Sequence, residues 1–168
     1  MSLDYDLRYM GLALNEVREA MHLGNLPIGA VLLIEGKVIG IGRNNQVNNS
    51  DFYSHAESVL IGKSASWIKD ASKEGKKVEL FTTLEPCLMC FGTAVHTRVN
   101  RIVYACPDPL AGATGMEPPS EWYKRRWPEI TKDVFRDDAF ELFTNYMRGH
   151  LGIWRNALRQ YEEMRKSW

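Results

Sequence analysis

The hydrophobic pattern of the N-terminal part predicts a helix followed by a hairpin. Apolar residues recur every three or four positions from Asp4 to about Met21, which is typical of an amphipathic helix. Two apolar runs follow at residues 30–34 and 37–41, on either side of Glu35-Gly36. Because glycine at such a joint is typical of a tight turn, these runs are predicted as two antiparallel strands.

Further along the chain, strand-like and helix-like patterns alternate. The predicted elements are a loop at 44–54, a helix at 55–63, a strand at 78–83, a helix at 86–95, strands at 101–105 and within 129–135, and helix from about 137 with a break at Gly149 or Gly152. Residues 64–77 fit a short helix or a loop. This alternation favours an α/β fold, and the opening hairpin makes its sheet mixed. We therefore predict a three-layer α/β/α sandwich with a mixed five-stranded sheet.

Composition and charge narrow the class of protein. The 168 residues suit one domain, and 45% hydrophobic with 25% charged residues is ordinary for a globular protein. A formal net charge of zero excludes a globally basic nucleic-acid-binding domain, although a local basic face is still allowed. We find no apolar run long enough for a transmembrane helix and no signal-peptide pattern, so we expect no membrane partner. Three cysteines suit reduced thiols, which predicts a cytoplasmic location.

The candidate metal-binding and catalytic residues lie at the starts of two predicted helices. Cys87 and Cys90 are three positions apart just after Pro86, so their sulfur atoms share one helix face. The positive end of a helix favours thiolates, which bind metals. His55 begins another predicted helix, and three ligands leave a tetrahedral zinc ion the open position that catalysis requires. Glu57 is close enough to exchange protons with water there without being a ligand.

Each of these segments alone allows other interpretations. A pair of cysteines at this spacing also occurs in structural zinc knuckles and in redox pairs. A structural zinc ion needs a fourth protein ligand, for which Cys106 and His96 are the nearby candidates. Neither has knuckle spacing from Cys87 or Cys90, so we favour one catalytic zinc ion per chain over a non-catalytic zinc module.

Taken together, His55-Ala56-Glu57 and Pro86-Cys87-Leu88-Met89-Cys90 match the H-x-E and P-C-x-x-C signature of zinc deaminases. The chain resembles the cytidine deaminase-like superfamily, in the branch that holds bacterial tRNA adenosine deaminase, guanine deaminase and fungal cytosine deaminase. The matching stretches are 27–31, 42–44, 55–57 and 83–90, and residues 96–98, 108 and 112–115 are most similar to the tRNA-editing enzymes. The resemblance ends near Gly115. We therefore predict a single deaminase domain over residues 1–168, with 116–168 as a C-terminal helical extension packed on it.

The resemblance implies hydrolytic deamination, in which a zinc-activated water replaces a ring amino group and ammonia leaves. It implies that His55, Cys87 and Cys90 bind zinc and that Glu57 carries the protons. It further implies substrate contacts from Asn44, the Ala56 backbone and a pocket wall that includes Pro27, Gly29 and Ala30. The Asn44 amide can equally cap its own loop. A homodimer is also typical of the family.

Two departures from the tRNA-editing enzymes bear on the substrate. Residues 51–54 read Asp-Phe-Tyr-Ser where those enzymes commonly have Asp-Pro-Thr, and Leu110 stands where they tend to have a basic residue. Because phosphate contacts dominate nucleic-acid affinity, these features favour a small nucleobase, nucleoside or related heterocycle. Deamination of the tRNA wobble adenosine to inosine is the alternative, with tRNA as the partner.

Three further features allow two interpretations each. The basic and aromatic residues 123–127 suit single-stranded nucleic acid or a solvated loop. Trp154 and Trp168 suit a lid over the site or anchors of helix packing. Cys106 suits a zinc ligand or a small buried side chain.

Overall fold

Helices and strands are described for residues 2–168 in a computed structural model of the chain. In chain order they are α1 (Leu3–His22), β1 (Gly29–Ile34), β2 (Lys37–Arg43), α2 (Gln46–Asn49), α3 (Ala56–Lys63), α4 (Ala65–Lys73), β3 (Val78–Leu84), α5 (Leu88–His96), β4 (Arg101–Cys106), α6 (Glu121–Lys124), β5 (Glu129–Thr131), α7 (Arg136–Gly149) and α8 (Leu151–Arg165). The long helices begin and end close to the positions that the periodicity predicts.

Within residues 2–168 the strands form a mixed sheet of five strands in the order β2-β1-β3-β4-β5. Strand β1 is antiparallel to β2 and β3, whereas β3, β4 and β5 are parallel. The β1–β2 hairpin turns at Glu35 and Gly36, whose φ angles are 50° and 73°. Two consecutive left-handed residues are typical of the turn that follows the natural twist of the strands. The predicted hairpin and the mixed sheet are confirmed.

Helices cover both faces of the sheet. Helices α1 and α7 pack on one face, while α3 and α4 pack on the other, where α5 contacts α3. The predicted three-layer α/β/α sandwich is thereby confirmed. Helix α8 packs on α7, and Phe140, Phe143 and Tyr161 join the two helices to the hydrophobic core. In the described part of the chain, no helix has both the length and the hydropathy needed to span a bilayer.

The parallel strands β3 and β4 bring two loops to one edge of the sheet. Leu84, the last residue of β3, pairs with Cys106, the last residue of β4. Strand β3 therefore leads into the segment that contains Cys87, and β4 leads into residues 107–115, called the rim loop below. The carboxyl ends of parallel strands are where ligands of open α/β sheets usually bind.

Three local differences from the sequence prediction have physical causes. The ambiguous stretch 64–77 contains helix α4, whose Ile68 and Ala71 are buried. Helix α2 is a single turn inside the segment 44–54, which its polar residues predict as a loop. Strand β5 ends at Thr131 because Asp133 and Phe135 have positive φ angles of 68° and 58°, which interrupt extended backbone.

A buried network of charged residues joins α1 to the sheet, and no local sequence pattern predicts it. The Arg101 guanidinium donates two hydrogen bonds of 2.7 Å to the carboxylate of Asp6 and one of 3.3 Å to Glu79. Glu79 also accepts a hydrogen bond of 2.6 Å from the Tyr5 hydroxyl. Arg101, Asp6 and Glu79 are each at most 5% exposed. Removing Arg101 would leave the Asp6 carboxylate buried without this cation.

We therefore expect Arg101→Leu to lower the free energy of unfolding by about 3–5 kcal/mol, because Asp6 loses this cation and Glu79 keeps, among the described residues, only Lys77, at 3.6 Å. Urea unfolding followed by far-ultraviolet circular dichroism measures the loss. The control is Lys73→Met, which removes the exposed ion pair with Asp70 and leaves the unfolding midpoint near the wild-type value. Equal midpoints for wild type and Arg101→Leu would show that the buried network adds no stability.

Candidate metal centre

Three potential ligand atoms converge where α3 and α5 begin. His55 directly precedes α3, Cys87 directly precedes α5, and Cys90 lies in the first turn of α5. The Nδ1 atom of His55 is 3.6 Å from the Sγ atom of Cys87 and 3.6 Å from that of Cys90. The structure therefore brings together the three residues that the sequence predicts as zinc ligands.

These distances fit a tetrahedral zinc ion. With zinc–sulfur bonds of about 2.3 Å and zinc–nitrogen bonds of about 2.0 Å, tetrahedral angles place sulfur and nitrogen about 3.6 Å apart. In residues 2–168, His55, Cys87 and Cys90 form the one group of at least three histidine, cysteine or acidic residues whose ligand atoms lie close together, all within 4.8 Å. The group supplies three ligands and leaves a fourth position for a molecule from outside the chain.

The two candidates for a fourth protein ligand lie outside this group. His96 is exposed at the last position of α5, whereas Cys87 precedes the first. Cys106 is buried, and its thiol contacts a backbone carbonyl 3.3 Å away. Cys106 Sγ also lies outside the group of ligand atoms that His55, Cys87 and Cys90 bring together. Among the residues described, the arrangement is therefore that of an open site.

The charge state of the ligands also suits a metal. Hydrogen bonds from Cys90 and His55 hold the pKa of Cys87 down at about 4. The contact with Cys87 raises the pKa of Cys90, which retains the proton that the two sulfur atoms share, and it raises the pKa of His55. These contacts favour the thiolate form of Cys87, and binding of a zinc ion would release the remaining protons.

Glu57 lies two residues after His55, in the first turn of α3, and is 3% exposed. Burial raises the pKa of its carboxyl group, so the protonated form is more favoured here than it would be in water. Among residues 2–168, neither Glu57 Oε2 nor Thr82 Oγ1 has a hydrogen-bond partner of ordinary geometry, although Thr82 is near enough to lower the pKa of Glu57. Buried polar atoms without partners are costly, so this carboxyl oxygen is suited to a water or ligand molecule.

The segment before His55 is held by a compact set of hydrogen bonds. Asp51 Oδ1 accepts from the backbone amides of Tyr53 at 2.7 Å and Ser54 at 2.6 Å, and Asp51 Oδ2 accepts from the Ser54 hydroxyl at 2.7 Å. The His55 amide then donates to the Tyr53 carbonyl at 2.7 Å. These contacts fix the backbone at the point where the imidazole enters the site. Phe52, in contrast, is 94% exposed.

The residues that the resemblance implies for substrate binding are all buried. They are Pro27, Gly29, Ala30, Asn44 and Ala56. The Asn44 side chain accepts from the Gln46 amide at 3.1 Å and donates to the Gln46 side chain at 3.0 Å, which is the loop-capping alternative. At Gly29 a Cβ atom would lie 2.1 Å from the Ala13 carbonyl oxygen, so glycine is required there for the packing of α1.

The rim loop reaches the metal centre through contacts that the sequence analysis missed. Gly112 forms an antiparallel bridge with Cys87. Glu85 accepts hydrogen bonds from the backbone amides of Asp108 and Thr114, both 3.1 Å long. Within the rim loop, the residue that could have indicated this contact is Gly112, where a Cβ atom would lie 2.4 Å from Glu85 Oε2. Spacing alone could not show that an acidic residue beside Pro86 organises a loop more than twenty residues away.

The other segments with two interpretations lie away from the ligands. Arg125, Arg126 and Trp127 line a cleft with Arg98, which follows the end of α5 opposite to Cys87. The two tryptophans pack on α7. Trp154 lies 6.4 Å from the Phe143 ring and Trp168 lies 5.1 Å from the Phe140 ring, centroid to centroid. In this structure both tryptophans serve as packing anchors.

The chain is similar in sequence and in structure to known deaminases and to a tRNA-modifying enzyme. The family model for the cytidine and deoxycytidylate deaminase zinc-binding region matches residues 3–106. A tRNA(Ile)-lysidine synthase from Deinococcus deserti is 40% identical over 134 residues, which are 77% of this chain and 24% of that protein. A tRNA-specific adenosine deaminase from Bacillus subtilis is 36% identical over 110 residues, which are 66% of this chain and 67% of that protein. The structure of a guanine deaminase from Nitrosomonas europaea superposes with a TM-score of 0.70 at 28% identity, covering 83% of each chain.

Proposed function

Because the chain belongs to the family of the cytidine and deoxycytidylate deaminase zinc-binding region, we propose that it is a zinc-dependent hydrolytic deaminase. Its proposed substrate is a small nucleobase, nucleoside or related heterocycle. The ring amino group is replaced by a carbonyl oxygen and leaves as ammonia.

One observation carries this proposal: a buried carboxyl oxygen without a partner lies next to an incomplete set of zinc ligands. The Oε2 atom of Glu57 has no hydrogen-bond partner of ordinary geometry within residues 2–168. His55 and the two cysteines supply three ligand atoms, one fewer than a structural zinc site uses. A purely structural site would gain nothing from a buried, unsatisfied carboxyl group.

His55, Cys87 and Cys90 would bind the zinc ion, and Glu57 would transfer protons. A bound zinc ion supplies a Lewis acid that makes water nucleophilic near neutral pH. Glu57 would take a proton from water at Oε2 and pass it to the ring nitrogen beside the reacting carbon, and would then move the second proton of that water to the departing amino group. Its raised pKa suits this role, since the group must both accept and release a proton at neutral pH. One water is consumed and one ammonia is released.

We assign the wall of the substrate pocket to Pro27, Gly29 and Ala30, with the Ala56 backbone and Asn44 as polar contacts. The Asn44 backbone amide donates to the Ile28 carbonyl at 2.9 Å, which joins Asn44 to this wall, and Ala56 lies between His55 and Glu57. Asn44 keeps one carbonyl lone pair in addition to the one used by the Gln46 amide. It can therefore accept from a substrate without breaking its own loop.

A small substrate is favoured by the side chains around the ligands. Phe52, Leu88 and Leu110 are exposed and uncharged, and they lie on the three segments next to the metal centre. Such a rim suits a flat heterocycle better than a phosphate backbone. The similarity to a guanine deaminase structure supports the same choice.

Deamination of the wobble adenosine in tRNA is the second candidate. The Bacillus subtilis relative, a tRNA-specific adenosine deaminase, favours it. The cleft lined by Arg98 and Arg125 offers cations, but it lies at the far end of α5 from the ligands.

We also propose that residues 1–168 act as one domain, in which 116–168 is a mainly helical extension that also supplies strand β5. We further propose that the chain forms a homodimer in the cytoplasm. The shared hydrophobic core of α7, α8 and the sheet supports the single domain. The homodimer is the state that the family resemblance implies. Free thiols as metal ligands suit a reducing compartment.

A substrate panel tests the proposed function. Ammonia release is measured for zinc-loaded protein with free bases, nucleosides, nucleotides and unmodified tRNA. We expect turnover of one small heterocycle. Inosine formed only in tRNA would select the second candidate. No turnover of any substrate, with one zinc ion bound tightly, would favour the non-catalytic module.

A further inference from the structure

The rim loop is held against the metal centre at two points. Gly112 bridges Cys87, and the Ala113 amide donates to the Pro86 carbonyl at 3.0 Å. The position of residues 107–115 therefore fixes one side of the space in front of the ligands. Any residue that holds this loop in place also acts on that space.

Glu85 anchors the loop from the strand side. Its Oε1 atom accepts from the Thr114 amide at 3.1 Å and from the Thr114 hydroxyl at 2.5 Å, while Oε2 accepts from the Asp108 amide at 3.1 Å. Both ends of the rim loop are thus tied to the residue that stands two positions before Cys87.

Tyr161 anchors the loop from the helical extension. Its ring is fully buried in α8, 5.2 Å from the Phe143 ring, and its hydroxyl donates to Asp108 Oδ1 at 2.9 Å. The same Asp108 oxygen accepts from the Leu110 amide at 2.9 Å. Burial raises the pKa of Asp108, and the hydrogen bond from Tyr161 opposes that rise. A single phenol therefore joins a helix outside the family match to the loop beside the zinc ligands.

We propose that Tyr161 is a positioning residue of the active site, which holds the rim loop through Asp108 and thereby sets the affinity for the heterocyclic substrate. This inference rests on the proposed function. Tyr161 contacts the loop and neither the ligands nor Glu57, so it acts on substrate binding and leaves the chemical step unchanged.

The test is Tyr161→Phe, which keeps the buried ring and removes only the hydroxyl. Hydrogen exchange of the rim loop, followed by mass spectrometry on zinc-loaded protein, should become about tenfold faster, since a hydrogen bond to a charged group is lost. KM for the substrate should rise about tenfold while kcat stays within twofold. Asp108→Ala should have the same effect, and the double variant should be no worse than the poorer single one.

The matched control is Tyr9→Phe, which removes a buried phenol bonded to the Gly36 carbonyl at 2.7 Å in the hairpin turn. Rim-loop exchange and KM should then stay at wild-type values. Unchanged loop exchange in Tyr161→Phe would overturn the proposal even if no substrate is turned over, because exchange is measured without turnover. Additive effects of Tyr161→Phe and Asp108→Ala, or equal losses in kcat and KM, would overturn it as well.

Discussion

Replacement of Glu57 by glutamine should lower kcat by about a thousandfold and leave the zinc content unchanged. The amide keeps the size of the side chain but cannot carry a proton between water and the ring nitrogen. It is not a ligand, so His55, Cys87 and Cys90 still hold the metal. Ammonia release measures the first effect, and zinc analysis by mass spectrometry measures the second.

The stability of this variant is a further readout. Burial raises the pKa of Glu57, so ionisation of this carboxyl group lowers the stability of the folded protein. Since a folded-state pKa above the unfolded value costs stability at high pH, Glu57→Gln without zinc should be at least as stable as wild type at pH 8.

Glu79→Gln is the matched control, because Glu79 is as deeply buried but belongs to the Arg101 network on the opposite face. It should lower stability and leave kcat near wild type. A Glu57→Gln variant with kcat within tenfold of wild type would remove Glu57 from the proposed mechanism.

The metal centre was predictable from the sequence because its parts are local. Each ligand stands at the start of a helix, and helical spacing begins after a polar loop near His55 and after a strand near Cys87. The hairpin was predictable for the same reason, since Gly36 marks the turn between its strands. In these cases the decisive contacts lie a few residues apart.

The rest of the site depends on contacts that no local pattern records. Tyr161 meets Asp108 across 53 positions, and Arg101 meets Asp6 across 95. Both pairs form only when the layers are stacked, and nothing in the sequence next to each residue indicates its partner. The position of the rim loop has the same origin, because Glu85, which directly follows β3, accepts hydrogen bonds from the Asp108 and Thr114 amides.

Cysteine substitutions separate an open zinc site from a closed one. Cys90→Ser should weaken zinc binding by more than about a hundredfold, the upper limit of what an outer-shell change costs, because it removes a direct ligand. Cys106→Ser should retain one zinc ion per chain, since the Cys106 thiol contacts a backbone carbonyl outside the ligand group. Competition with a chromophoric chelator gives both affinities.

The comparison is matched in chemistry, because each variant exchanges one buried sulfur atom for oxygen. A hydroxyl group in the buried Cys106 site should lower the unfolding temperature slightly. A lower unfolding temperature with unchanged zinc binding would show that the substitution affects packing and not the metal. Loss of zinc from Cys106→Ser would make the site a closed four-ligand centre. Glu57 would then have no open position to serve, and the non-catalytic module would replace the deaminase as the function of this chain.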